Sequence, residues 1–132
     1  LHALSIKVIV HLILGLPHET REMMSASVQA IANLPVWGIK LQLLHVLSGT
    51  DLAAYYEKTH FPVFSMDEYC EMIIDCLELL PPEMVIHRIT GDGPKDLLIA
   101  PMWSTGKRTV LNQIHRRLKE RNTYQGRLAT KR

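Results

Sequence analysis

Two alternating periodicities constrain this chain more than any other feature. Short apolar runs rich in β-branched residues take turns with longer stretches that are apolar at every third or fourth position. The first run, Ile6 to Leu14, is broken only by Lys7 and His11. It is too short for a well-formed helix and predicts a strand buried on both faces. Residues 19–34 carry Met24, Val28 and Ile31 at helical spacing, with Glu19 and Glu22 in the first turn and Pro35 as the stop. "GIKLQLLH" (38–45) predicts a second strand, and "LSGT" turns the chain out of it. A short helix is expected over 51–58. Ser65 and Glu68 then form a capping-box pattern ahead of the stripe Tyr69, Ile73, Leu77 and Leu80, and Pro81-Pro82 ends that helix. "MVIHRI" (84–89) predicts a third strand, "TGDGPKD" a glycine-rich loop, and 105–121 a last helix with Leu111, Ile114 and Leu118 inward.

This order argues for an α/β fold with parallel strands joined by right-handed crossovers, either a small open sheet or part of a barrel. In both, chemistry collects at the carboxyl ends of the strands. Those ends are Ile13-Leu14-Gly15, His45-Val46-Leu47 and Arg88-Ile89-Thr90. Positions 11, 13 and 15 share one parity, so His11 and Ile13 face the side that Gly15 opens. A glycine ahead of a helix N-terminus lets backbone approach a ligand, and it equally suits a plain tight turn.

Composition adds three constraints. No apolar run approaches the length of a membrane span, and no basic leader precedes a cleavage site. Cys70 and Cys76 are the only thiols, six residues apart in a predicted helix and about 120° off a shared face. They suggest a reducing, cytoplasmic setting, with Cys70 in the core and Cys76 open to solvent. The formal charge of +2 hides an asymmetry. Residues 1–106 hold six Lys/Arg against twelve Asp/Glu, whereas residues 107–132 hold nine against Glu120 alone. A tail that basic either meets a polyanion or is simply solvated. Its candidate contacts are Lys107, Arg108, Arg116, Arg117, Lys119 and Arg121, and the chain divides on this basis into 1–104 and a basic segment, 105–132.

"HLILGLPHET" resembles the fifth-strand segment of radical S-adenosylmethionine enzymes, which carry "GLPGET" or "GLPGQT" there. "VWGIKLQLLHVLSGT" resembles their sixth strand with its terminal "GT". "VIHRITGDGPKDLLIAPMWSTGKRTVLN" resembles the tail of the YhcC-type bacterial branch, akin in its catalytic domain to the Elongator catalytic subunit. The match runs from about Ile6 to Gly126. It implies the carboxyl-terminal part of a partial TIM-type barrel. It also implies a parent enzyme that cleaves S-adenosylmethionine reductively and abstracts a hydrogen atom, with flavodoxin or ferredoxin as reductant.

The resemblance assigns roles by position. Ile13 would pack on the adenine of S-adenosylmethionine, and His11, two residues earlier, would touch its ribose or methionine end. His45 and Val46, past the sixth strand, would also meet the adenine, with Gly15 beneath. His18 replaces the glycine usual in this motif. His11 could equally be a core histidine bonded to backbone. Lys40, Gln42, His87 and Arg88 are substrate-channel candidates, because charge in a buried strand is costly unless it serves a lumen or finds partners. A structural ion pair of Arg88 with Asp92 or Asp96 is the alternative. The strand histidines lack the short ligand spacing of a metal site.

The family's [4Fe–4S] cluster needs three cysteines spaced C-x₃-C-x₂-C, and Cys70 and Cys76 cannot supply them. Because the chain opens on Leu1, an upstream part bearing that motif is expected. This part alone would be inactive and prone to self-association through its uncovered first strand. The Elongator kinship and basic tail favour tRNA as substrate. A non-catalytic RNA-binding module and a radical enzyme acting on a small molecule are the rivals.

Overall fold

A computed structural model describes residues 6–91 and 94–129. The elements follow the expected alternation: β1 (Ile9–Leu14), α1 (Arg21–Ala32), β2 (Gly38–Leu43), β3 (Val46–Leu47), α2 (Asp51–Thr59), α3 (Met66–Leu79), β4 (Val85–Arg88), β5 (Leu98–Ala100) and α4 (Lys107–Glu120). Short 3₁₀ turns at Lys95–Leu97 and Met102–Thr105 flank β5. Helix starts follow local chemistry. Thr20 and Thr50 accept from the amides of Met23 and Ala53, and Ser65 and Glu68 form the reciprocal capping box read from the sequence.

β1, β2 and β4 form a parallel three-stranded sheet in that spatial order, with β1 outermost on one side and β4 on the other. A second sheet, β3 against β5, is antiparallel and pairs Val46 with Ala100. It carries no clear signal in the sequence, because strands of two and three residues are too short to show a period.

The parallel sheet has two unlike faces. Val10, Leu12 and Leu14 of β1, Ile39, Leu41 and Leu43 of β2, and Ile86 of β4 pack into the main core with α1, α3 and α4. Tyr69, Met72, Ile73, Ile74 and Leu80 are fully buried there, each contributing roughly 1.5–3 kcal/mol. The opposite face carries His11 and Ile13, both exposed, beside half-buried Lys40 and Gln42. The expectation that the first strand is buried on both faces is therefore corrected: one face is core, the other open. Cys76 is corrected too, because α3 is enclosed over most of its circumference and both thiols are buried.

The charge asymmetry closes within the fold. α3 presents Asp67, Glu71, Asp75 and Glu78 at helical spacing towards α4. Arg117 reaches Asp67 and Glu71, each at 2.7 Å, and Arg121 reaches Glu71 at 2.9 Å. Glu78 is almost wholly buried and accepts from Thr123 and Arg127. The hydrogen bond from Thr123 does most to hold its carboxyl below the usual range, and Arg127 and Arg121 add to this against the cost of burial. The chain then folds back on α3. Gly126 and Leu128 donate to the carbonyls of Leu77 and Glu78, and Gln125 donates to those of Pro81 and Met84. Val110 and Ile114 of α4 are buried in the same core as the sheet, so the boundary expected at 104/105 runs through packed structure.

Candidate cofactor and substrate face

The open face of the sheet is built by register. His11 lies opposite Lys40 on this face; Arg88 aligns with Lys40 along the backbone only, and its side chain borders the groove towards α4. Ile13 lies opposite Gln42 in the next row towards the carboxyl ends. A bulge between Ile39 and Lys40 shifts the register against β4 and brings Arg88, not His87, into line with Lys40. His87 sits nearer the amino end, its ring 5.0 Å from that of Trp37 and against the place where Gly38 lacks a side chain. Ile13 is 43% exposed, an aliphatic surface beside an amide and one row above a lysine.

Above this face, Gly15 has φ +89°, and a Cβ there would stand 3.0 Å from the Phe64 ring. The strand must stop at a glycine for a reason internal to the chain: the left-handed backbone and the phenyl ring both exclude a side chain. His18 adopts φ +66°, a conformation that glycine takes without strain, and its Nε2 lies 2.8 Å from the Tyr55 hydroxyl. Gly15, Leu16, His18, Pro62 and Phe64 edge a recess of about 280 Å³ at this end of β1.

His45 leaves the sheet between β2 and β3, and a Cβ on Gly91 would all but coincide with its ring edge, at 2.4 Å. Gly91, after β4, thus lies directly against His45. Tyr69 donates to the Ile89 carbonyl at 2.7 Å, and Trp103 donates to the Phe64 carbonyl at 2.8 Å. Burial pushes the Tyr69 phenol up, so it stays a neutral donor. Phe64, Tyr69 and Trp103, with rings in contact, form the platform under the strand ends. In the sequence Tyr69 is only one member of a helical stripe. Phe64 and Trp103 lie in irregular segments that carry no period.

Of the adenine-facing candidates, Ile13 and Gly15 lie at the strand end and His11 two residues deeper. Val46 does not join them: its side chain is fully buried in the second core, against Ala53, Phe61 and Ala100. That assignment is corrected, because Val46 is buried as a whole residue and offers a ligand no surface. Arg88 borders a groove of about 470 Å³ between β4 and α4, floored by Ile86 and Ile114. Asp92, one candidate partner for Arg88, lies outside the described residues, and Asp96 is exposed in the turn before β5. Among the described residues no three His, Cys, Asp or Glu side chains are grouped to hold a metal ion. Burial pushes the Cys76 thiol up to about 12 and raises Cys70 as well, the opposite of what ligating thiolates need. The residues of this chain do not fit an iron–sulfur cluster.

The basic candidates of α4 divide. Arg117 and Arg121 are held by α3 carboxylates and are corrected from free contacts to internal ones. Arg116 pairs with Glu120 one turn away, and Lys107, Arg108 and Lys119 lie on the exposed side.

A family model, the radical SAM C-terminal domain, matches residues 36–120. The chain belongs to the radical SAM C-terminal domain family. Among its relatives, YtqA of Bacillus subtilis is 50% identical over 121 residues, covering 92% of this chain and 38% of YtqA. MJ0486 of Methanocaldococcus jannaschii is 32% identical, covering 95% of this chain and 39% of that protein. YhcC of Escherichia coli is 30% identical, covering 87% and 37%. The chain therefore spans under two fifths of the length of these relatives. The structure of Methanocaldococcus infernus Elp3 with an N-terminal deletion superposes with a TM-score of 0.78 at 18% identity. The superposition covers 94% of this chain and 29% of that one, and it shows a shared fold. Among the described residues no helix is long and apolar enough to cross a membrane.

Proposed function

We propose that this radical SAM C-terminal domain supplies one wall of an S-adenosylmethionine site in a longer enzyme. That enzyme would cleave the cofactor reductively and abstract a hydrogen atom from its substrate. The observation that carries this reading is the exposed Ile13 at the end of β1, two residues before the glycine turn and level with Gln42. An aliphatic residue facing outward beside Gln42 suits an adenine ring, whose faces are apolar and whose edge takes hydrogen bonds. His11, deeper on the same face, and His45, against Gly91, would meet the polar parts of the cofactor. When bound, S-adenosylmethionine supplies the sulfonium bond whose reductive cleavage yields the radical; the protein's part is to hold it and exclude water. The [4Fe–4S] cluster and its reductant, flavodoxin or ferredoxin, belong to sequence other than these residues.

The test is equilibrium titration of the full-length protein with S-adenosylmethionine. Ile13→Asp places a carboxylate beneath the adenine and should abolish measurable binding, on the order of a thousandfold. His11→Ala should cost roughly 1–2 kcal/mol if it makes one hydrogen bond. Unchanged titration curves for both variants would overturn the assignment.

For the substrate, tRNA is favoured by the exposed cations Lys107, Arg108, Arg116 and Lys119 on α4. A small-molecule substrate is the alternative.

A further inference from the structure

Lys40 occupies the middle strand of the parallel sheet, where both neighbours are strands and its side chain is half-buried. Among the described residues, neither Lys40 nor His11 makes an ion pair or hydrogen bond with another side chain. The carboxylates Glu71 and Glu78 of α3, on the opposite side of the sheet, are engaged by Arg117, Arg121 and Arg127. A lysine fixed in a sheet carries a desolvation cost that nothing offsets unless something negative reaches it. His11, its partner on β1 about 4.8 Å away, offers a ring nitrogen on the same face. Gln42, two residues on along β2, projects from the same face and offers an amide donor.

We infer that Lys40, beside His11 and Gln42, is the centre of an oxyanion site on the open face, taking a carboxylate or phosphate group. The site lies one row below Ile13, about 6–7 Å deeper along the strands, so an anion there and an aromatic ring over Ile13 can be held together. Lys40 supplies a point charge with rotatable donors, suited to an oxyanion approached from one side. The inference rests on reading this face as the reaction lumen. Two sources share the chemistry: the carboxylate of S-adenosylmethionine, or an anionic group on the substrate.

The experiment is crystallographic, on the full-length protein. Crystals of the wild type, Lys40→Arg and Lys40→Met are soaked in sodium selenate, and anomalous difference maps are calculated at the selenium edge. A peak within hydrogen-bond distance of the residue 40 side chain is expected in the wild type and in Lys40→Arg, and none in Lys40→Met. No peak at Lys40 in the wild type, or a peak that persists in Lys40→Met, would overturn the inference. Solved crystals of the variant remove misfolding as an explanation. Titration then separates the sources. If Lys40→Met weakens S-adenosylmethionine about tenfold or more but leaves its decarboxylated analogue unchanged, the anion is the cofactor's. If both bind as to the wild type, the anion is the substrate's. A wild type that binds neither compound but shows the selenate peak would overturn the cofactor reading while leaving the oxyanion site in place.

Discussion

Arg117 donates to the Glu71 carboxylate at 2.7 Å across the α3–α4 interface, and it does so with its side chain only 19% exposed. That one pairing, repeated by Arg121 and Arg127 along the same acidic row, turns a lopsided charge distribution into a helix–helix joint. Arg117→Ala should destabilise the fold by about 1–2 kcal/mol, since it strips Asp67 and Glu71 of a shared donor. Urea denaturation measures it; a change below about 0.5 kcal/mol would place Arg117 with ordinary surface residues.

The same pairing separates two kinds of arginine on α4. Reversing Lys107, Arg108, Arg116 and Lys119 to Glu should lower tRNA affinity of the full-length protein. It should also flatten the salt dependence, by about 0.7–0.9 in slope for each phosphate that is no longer neutralised. Reversing Arg121 should act on stability first. Equal drops in affinity from both sets would show that the internal pairs open to meet RNA.

Glu78 carries a pH prediction. Its folded-state pKa is depressed, chiefly by the hydrogen bond from Thr123, so the stability it contributes is present above the ordinary carboxylate range. That contribution disappears as pH falls through the depressed value. Glu78→Gln should therefore cost roughly 1.5–3 kcal/mol near neutrality, and the gap to the wild type should narrow on acidification below about pH 4.5. Denaturation midpoints across pH check this; a constant gap would mean the carboxylate charge contributes nothing.

Gly15→Ala should destabilise by about 1–3 kcal/mol, from the φ of +89° and the approach to Phe64. Adding Phe64→Ala relieves the ring contact but not the backbone strain. The double variant should therefore be less destabilised than the sum of the two single variants, while Gly15→Ala still costs stability in the Phe64→Ala background. Full additivity of the two effects would remove the ring from the account.

What the sequence discloses depends on the range of each interaction. The capping box at Ser65 and Glu68 spans three residues, and the parity of His11, Ile13 and Gly15 spans four, so both are legible. Parallel order follows from the alternation of strands and helices. The pairing of Arg117 with Glu71 joins residues 46 positions apart, and no local pattern announces it. The open face of β1 is hidden for a different reason: Ile9 and Ile13 make an apolar run look uniform, although its two sides meet different surroundings. Gly15 stands out in the sequence, but Phe64, the ring that demands it, lies far along the chain. Val46 and Cys76 cannot be placed from local pattern, because burial in a second core and around a whole helix are tertiary facts.

Cys70 and Cys76 are both fully buried, and the Cys76 thiol is pushed up to about 12. Neither should react with a thiol reagent in the folded protein at about pH 8, and both should react once denaturant is added. Rapid labelling of one thiol in the native state would contradict the enclosed position of α3.

The most direct measurement is the crystal structure of the full-length protein with S-adenosylmethionine bound. The account predicts the adenine in van der Waals contact with Ile13, over the end of β1, with Lys40 one row deeper on the same face. An adenine bound elsewhere, with Ile13 covered by protein instead, would contradict it.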